Sequence, residues 1–159
     1  MVFGVLINLK AMVFAHHGLK KYDLDGHCNV TAEHHRVGLG PAGKPERLVG
    51  HGDGQWEAEH HNRSWVEIEF HEKKEFKGIG FKSAGDHPRE APTEVKIFEH
   101  KMIGGWHEIG HHQLDFHLKN HEEIIFPMVH GDTKKVRFEF HNNRGKEGLR
   151  LAEIMFYHH

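Results

Sequence analysis

Residues 107–117 hold the spacing with the most chemistry in this chain. They read His107-Glu108-Ile109-Gly110-His111-His112-Gln113-Leu114-Asp115-Phe116-His117. On a helix, His107 and His111 stand one turn apart on a single face. There they would bind zinc, with His117 as the third ligand and Glu108 as general base on a zinc-bound water. That reading makes the chain a zinc metallopeptidase, and it is the alternative function the sequence offers. Three features oppose it. Gly104 and Gly105 lie directly upstream, and each glycine costs about 1 kcal/mol in a helix. Leu114-Asp115-Phe116-His117-Leu118 alternates with strand period. Twenty of the 159 residues are histidine, including five His-His pairs, so chance spacings are common. On a strand, four residues span roughly 13 Å, too far to share one ion.

A second group of polar side chains belongs to turns. Glu33-His34-His35-Arg36, Asp86-His87-Pro88-Arg89 and Asn142-Asn143-Arg144 offer guanidinium forks, imidazoles and amides. Such groups suit sugar hydroxyls, carboxylates or phosphates. The candidate ligand-binding residues are therefore His34, His35, Arg36, Asp86, His87, Arg89, Asn143 and Arg144. The competing reading pairs Asp86 with Arg89 as a purely structural brace. Of the three tryptophans, Trp56 and Trp65 read as core and Trp106, beside Gly104-Gly105, as exposed. Cys28 is the only cysteine, so no intrachain disulfide forms and a reducing, cytoplasmic setting is favoured over secretion.

These residues must be held by strands. In Trp65-Val66-Glu67-Ile68-Glu69-Phe70, apolar and polar residues alternate, which puts one set on a core face and the other in water. The same period runs through Phe76 to Phe81, Val95 to Phe98, Leu114 to Leu118 and Val136 to Phe140, and the last strand spans Leu149 to Tyr157. Turn formers separate most of these runs, among them His71-Glu72-Lys73-Lys74, Gly85-Asp86-His87-Pro88 and Asn142-Asn143-Arg144-Gly145. Residues 36–55 are glycine-rich loop, with a short helix possible at Pro45 to Val49. Many short strands without a strong amphipathic helix give an all-β antiparallel sandwich. Residues 1–28 form an apolar N-terminal arm or first strand. Asn8 and Lys10 break its apolar run, it lacks a basic leader, and it is too short to span a bilayer.

The order of several segments resembles the discoidin-like, coagulation factor type C domains of the galactose-binding-like superfamily. The segments are Ser64 to Phe70, Lys77-Gly78-Ile79-Gly80-Phe81-Lys82-Ser83-Ala84, Asp86 to Arg89, Val95-Ile97-Phe98, Val136 to Phe140, Asn142 to Gly145 and Leu151 to Ile154. The resemblance implies a jelly-roll sandwich over residues 29–159, with the three polar turns near one end. It implies binding of sugars, lipid head groups or proteins, and seldom catalysis. It also implies a structural cation of the calcium type, held by Asp53, Glu153 and the Arg47 carbonyl. His51 stands where an aspartate is usual, which weakens that site. The arginine-x-aspartate spacing of fucose binders is missing.

The sequence thus reads as a non-catalytic binding module whose partner is a protein assembly or a glycan. The formal net charge of -2 gives no basic field for nucleic acid, and no integral membrane segment is present. A further alternative is a histidine-rich, pH-dependent surface binder. Roughly a quarter of exposed histidines are charged at pH 7 and three quarters at pH 6.

Overall fold

Val66, Ile68 and Phe70 are fully buried, while the residues between them face outward. This alternation turns each strand's apolar side into a sandwich of two sheets. The computed structural model describes residues 18–159. Its strands are β1 (Lys20–Lys21), β2 (Cys28–Ala32), β3 (Trp56–Ala58), β4 (Arg63–Phe76), β5 (Gly78–Lys82), β6 (Glu94–Lys101), β7 (Gly105–Gln113), β8 (Glu123–Phe126), β9 (Gly131–His141), β10 (Leu149–Leu151) and β11 (Glu153–His158). Two 3-10 turns, Pro45–Leu48 and Pro88–Glu90, each begin on a proline, whose fixed φ suits a first helical turn.

One sheet has the order β2-β4-β9-β6-β7, the other β1-β11-β5-β8, and β10 pairs with β3 in a separate ribbon. The paired strands are antiparallel. Between the sheets, Phe81 meets Phe138 edge-on at 5.7 Å and Phe140 at 5.8 Å. Phe156 meets Phe70 and Phe76, each at 5.1 Å. Each fully buried side chain of this size stabilises the fold by about 1.5–3 kcal/mol.

The structure corrects four local expectations. The segment His71 to Lys74 is not a turn: β4 runs through it, with a register shift between Glu69 and Lys74. Leu114 to Leu118 is not a strand, although Leu114 and Phe116 do point into the core. Here the chain crosses from one sheet to the other, and Leu118 takes a positive φ of 57°. The last strand is two, because Leu149–Leu151 pairs with β3 while Glu153–His158 pairs with β5 and β1. Trp65 lies on the outer face of its sheet, where the Arg137 guanidinium stacks 4.9 Å from its ring. Lys20, Lys21 and Cys28 of the expected N-terminal arm are strand residues, and residues 1–17 lie outside the described residues. Among the described residues, no helix is long and apolar enough to cross a membrane.

The antiparallel register fixes which loops meet. Arg63 pairs with His141, Glu94 also pairs with His141, and Ala32 pairs with Val66. The ends of β2 and β9 and the starts of β4 and β6 therefore share one end of the sandwich. The segments that follow β2, precede β6 and follow β9 gather there.

Candidate binding site

The centre of this end is a carboxylate that the sandwich buries. Glu57 on β3 is 6% exposed and lies directly across from Arg150 on β10. The Arg150 guanidinium donates to the Glu57 carboxylate. It also lies 3.4 Å from Asp86 Oδ1 and 3.3 Å from Glu90 Oε2. Arg36 Nη1 donates to the other Glu57 oxygen at 3.4 Å, and its Nε is 3.9 Å from Glu59. Gln55 Nε2 donates to Asp86 Oδ1 at 2.7 Å, and Gln55 Oε1 accepts from the Gly85 amide. The Gln55 hydrogen bond, with Arg150 and His87 nearby, holds the Asp86 carboxyl below its ordinary range.

Of the candidate residues, Arg36 and Asp86 join this network directly. His87 joins through Asp86, with Nδ1 3.4 Å from Oδ2, on a backbone held at a positive φ of 46°. His34 joins from the side: its carbonyl accepts from Trp56 Nε1 at 2.9 Å, and its ring stacks on His61 at 3.6 Å and 4°. Arg89, Asn143 and Arg144 form a second network. Arg89 Nε donates to Glu147 at 2.9 Å, not to Asp86 as the brace reading required. The Arg144 guanidinium donates to the carbonyls of Ala91 and Arg89, around the fully buried Asn142. Asn143 is tied by its backbone amide, which donates to Thr93 Oγ1 at 2.9 Å. Among the described residues, His35 contacts only the carbonyl of its neighbour Arg36 and is not brought into either network. Sequence reasoning missed Gln55, Glu57, Glu90 and Arg150.

The zinc reading fails on backbone geometry. His107, Glu108 and His111 lie on β7, paired with Glu99, Phe98 and Lys96 of β6. An extended strand sets His107 and His111 roughly 13 Å apart. His111 bonds instead to Glu94, and His117 Nδ1 sits 2.7 Å from Glu122.

The structural cation expected at Arg47, Asp53 and Glu153 does not fit either. Asp53 and Glu153 do line one small cavity of about 140 Å³, but Lys82 and His121 line it too. The Lys21 ammonium is paired with Glu153, and the Arg47 guanidinium packs over Gly54. His51 lies between Asp23 at 3.1 Å and Asp25 at 3.4 Å. The Glu153 charge that a cation would balance is thus met by the Lys21 ammonium. Among the described residues, no group of three or more metal-ligating side chains is placed to hold an ion.

The architecture is that of the discoidin-like, galactose-binding-like sandwiches. The chain is similar in structure to a family 32 carbohydrate-binding module from Clostridium perfringens in complex with GalNAc-β-1,3-galactose. The TM-score is 0.72 at 11% identity, over 86% of this chain and 99% of that one. A family 32 module from C. perfringens NanJ in complex with galactose matches at TM-score 0.73 and 8% identity, over 88% and 99%. The family 32 module of AlyQ, in complex with 4,5-unsaturated mannuronic acid, matches at TM-score 0.64 and 13% identity, over 88% and 99%. No protein-family model matches the sequence, and no curated protein does.

Proposed function

We propose that this chain is a non-catalytic glycan-binding module that takes its ligand at the loop end carrying His34, Arg36, Asp86 and Arg89. The observation that carries this reading is the Arg150 network. It fixes exposed donors and acceptors in place before any ligand arrives, which lowers the ordering cost of binding. Half-exposed Arg36 and Arg89 offer N–H donors to ring and hydroxyl oxygens. Asp86 and Glu59 accept from hydroxyls, and the His34–His61 stack offers a flat face to sugar C–H groups. The sugar complexes of the similar sandwiches favour a glycan over a protein partner, and the strand at 107–111 argues against peptidase chemistry.

Titration calorimetry with galactose, GalNAc-β-1,3-galactose and a mannuronate oligosaccharide tests the reading. Binding of at least one is expected, with an affinity loss of tenfold or more in Arg36→Ala/Asp86→Ala. A folded wild-type protein that binds no member of a broad glycan array overturns it. The protein-partner reading rests on fully exposed Val37 and Leu39 in the same loop region. A stable complex lost in Val37→Ser/Leu39→Ser would establish that reading instead.

A further inference from the structure

A second concavity borders this loop end, on the outer face of the five-stranded sheet, and shares none of its lining with the Arg36–Asp86 network. It encloses about 360 Å³, and its lining includes Arg63, Trp65, Glu94, Lys96, Glu139 and His141. Strand register builds it: Arg63 and Trp65 on β4 face His141 and Glu139 on β9, which face Glu94 and Lys96 on β6. Glu33 and His111 complete the rim.

The charges here are unevenly satisfied. Glu94 is held between His111 and His141. Glu139 is 3.3 Å from Arg137 Nε, and Glu33 accepts from the Trp65 amide at 3.4 Å. The carboxylates therefore have partners. Among the described residues, the side chains of Arg63 and Lys96 have neither an ion pair nor a hydrogen bond. Among the described residues, two unpaired cations thus border one polar cleft that Trp65 also lines.

From this geometry we infer that the sheet-face cleft is a separate binding site for an anionic sugar. The anion, a carboxylate or a sulfate ester, sits on Arg63 and Lys96, where a guanidinium fork and an ammonium give charge-assisted bonds. The interleaved Glu33, Glu94 and Glu139 then accept from ring hydroxyls. A ligand rich in both hydroxyls and negative charge uses the whole lining. A phosphate or an acidic peptide offers fewer hydroxyls for the three carboxylates to accept from.

The test is calorimetry of the full chain at low ionic strength with three oligosaccharides of equal length: galacturonate, sulfated galactose and neutral galactose. Wild type should bind at least one acidic sugar tenfold or more tightly than the neutral one. Arg63→Gln/Lys96→Gln should erase that preference. The Arg36→Ala/Asp86→Ala variant should keep it, which separates this site from the loop end. The acidic sugar that binds names the anion. Equal affinity for all three sugars, or a preference that survives Arg63→Gln/Lys96→Gln, overturns the inference.

Discussion

Arg150 concentrates more charge than any neighbour at the loop end. Its guanidinium faces Glu57, Asp86 and Glu90, and the side chains of Arg150 and Glu57 are only 11% and 7% exposed. A buried charge that loses its partner costs far more than the intact pair contributes, because its desolvation stays uncompensated. Arg150→Met should therefore lower the unfolding free energy by about 3 kcal/mol, read from the urea midpoint. Adding Glu57→Gln should recover part of that loss, since the stranded carboxylate is gone. A double variant no more stable than the single one contradicts the account. The sequence exposes only the rim of this network. Arg36 and Asp86 stand among turn formers, where polar groups read as ligands. Glu57 and Arg150 sit singly in Trp56-Glu57-Ala58 and Leu149-Arg150-Leu151, where a polar residue reads as the wet side of a strand. Only the register of β10 on β3 turns them into a pair.

At the scale of elements, alternation reads clearly where a strand has one wet face, as in β4, β6 and β9. It misleads where the chain changes sheets, as at residues 114–118. The irregular elements are held by close contacts that periodicity does not encode. Past the register shift in β4, Phe76 lies opposite Gly131 of β9, and its ring covers the glycine so closely that an added methyl would sit 2.1 Å from Cζ. Phe76 is fully buried, so it has little room to yield. Gly131→Ala should destabilise the protein by about 1–3 kcal/mol, measured by chemical denaturation. Unchanged stability would mean that the end of β4 is looser than its packing implies. The edge strands β7 and β8 meet where His112 stacks on Phe126 at 4.2 Å, with His112 Nε2 buried and, among the described residues, without a hydrogen-bond partner. Burial, and then His111 beside it, lowers the His112 pKa from 6.5. The folded chain therefore binds fewer protons here than the unfolded one, so this contribution is full above pH 6.5 and declines as pH falls below it. Melting temperature should drop between pH 7 and 5.5, and His112→Leu should flatten that slope. An identical slope in the variant would assign the effect to other histidines.

At the scale of the whole molecule, the sandwich was legible because two-residue alternation recurs in strand after strand. Its closure was not, because that depends on which charge balances which. Glu153 resembles a cation ligand in sequence, yet Lys21 reaches it from the N-terminal strand, which pairs with β11. His51 meets Asp23 and Asp25 in the turn where a further carboxylate would strengthen a metal site. The Lys21 ammonium thus supplies internally the positive charge that a bound cation would bring to Glu153. A ligand that binds only the folded state at a hundredfold excess over its Kd stabilises by about 2.7 kcal/mol. For a domain of this size that raises the melting temperature by roughly 5–10 °C. Millimolar calcium and EDTA should therefore give the same melting temperature within about 1 °C, well below the shift that linkage requires of an occupied site. A calcium-dependent rise of several degrees would mean that Lys21 yields Glu153 to the ion, and the charge balance argued for this end of β11 would be wrong.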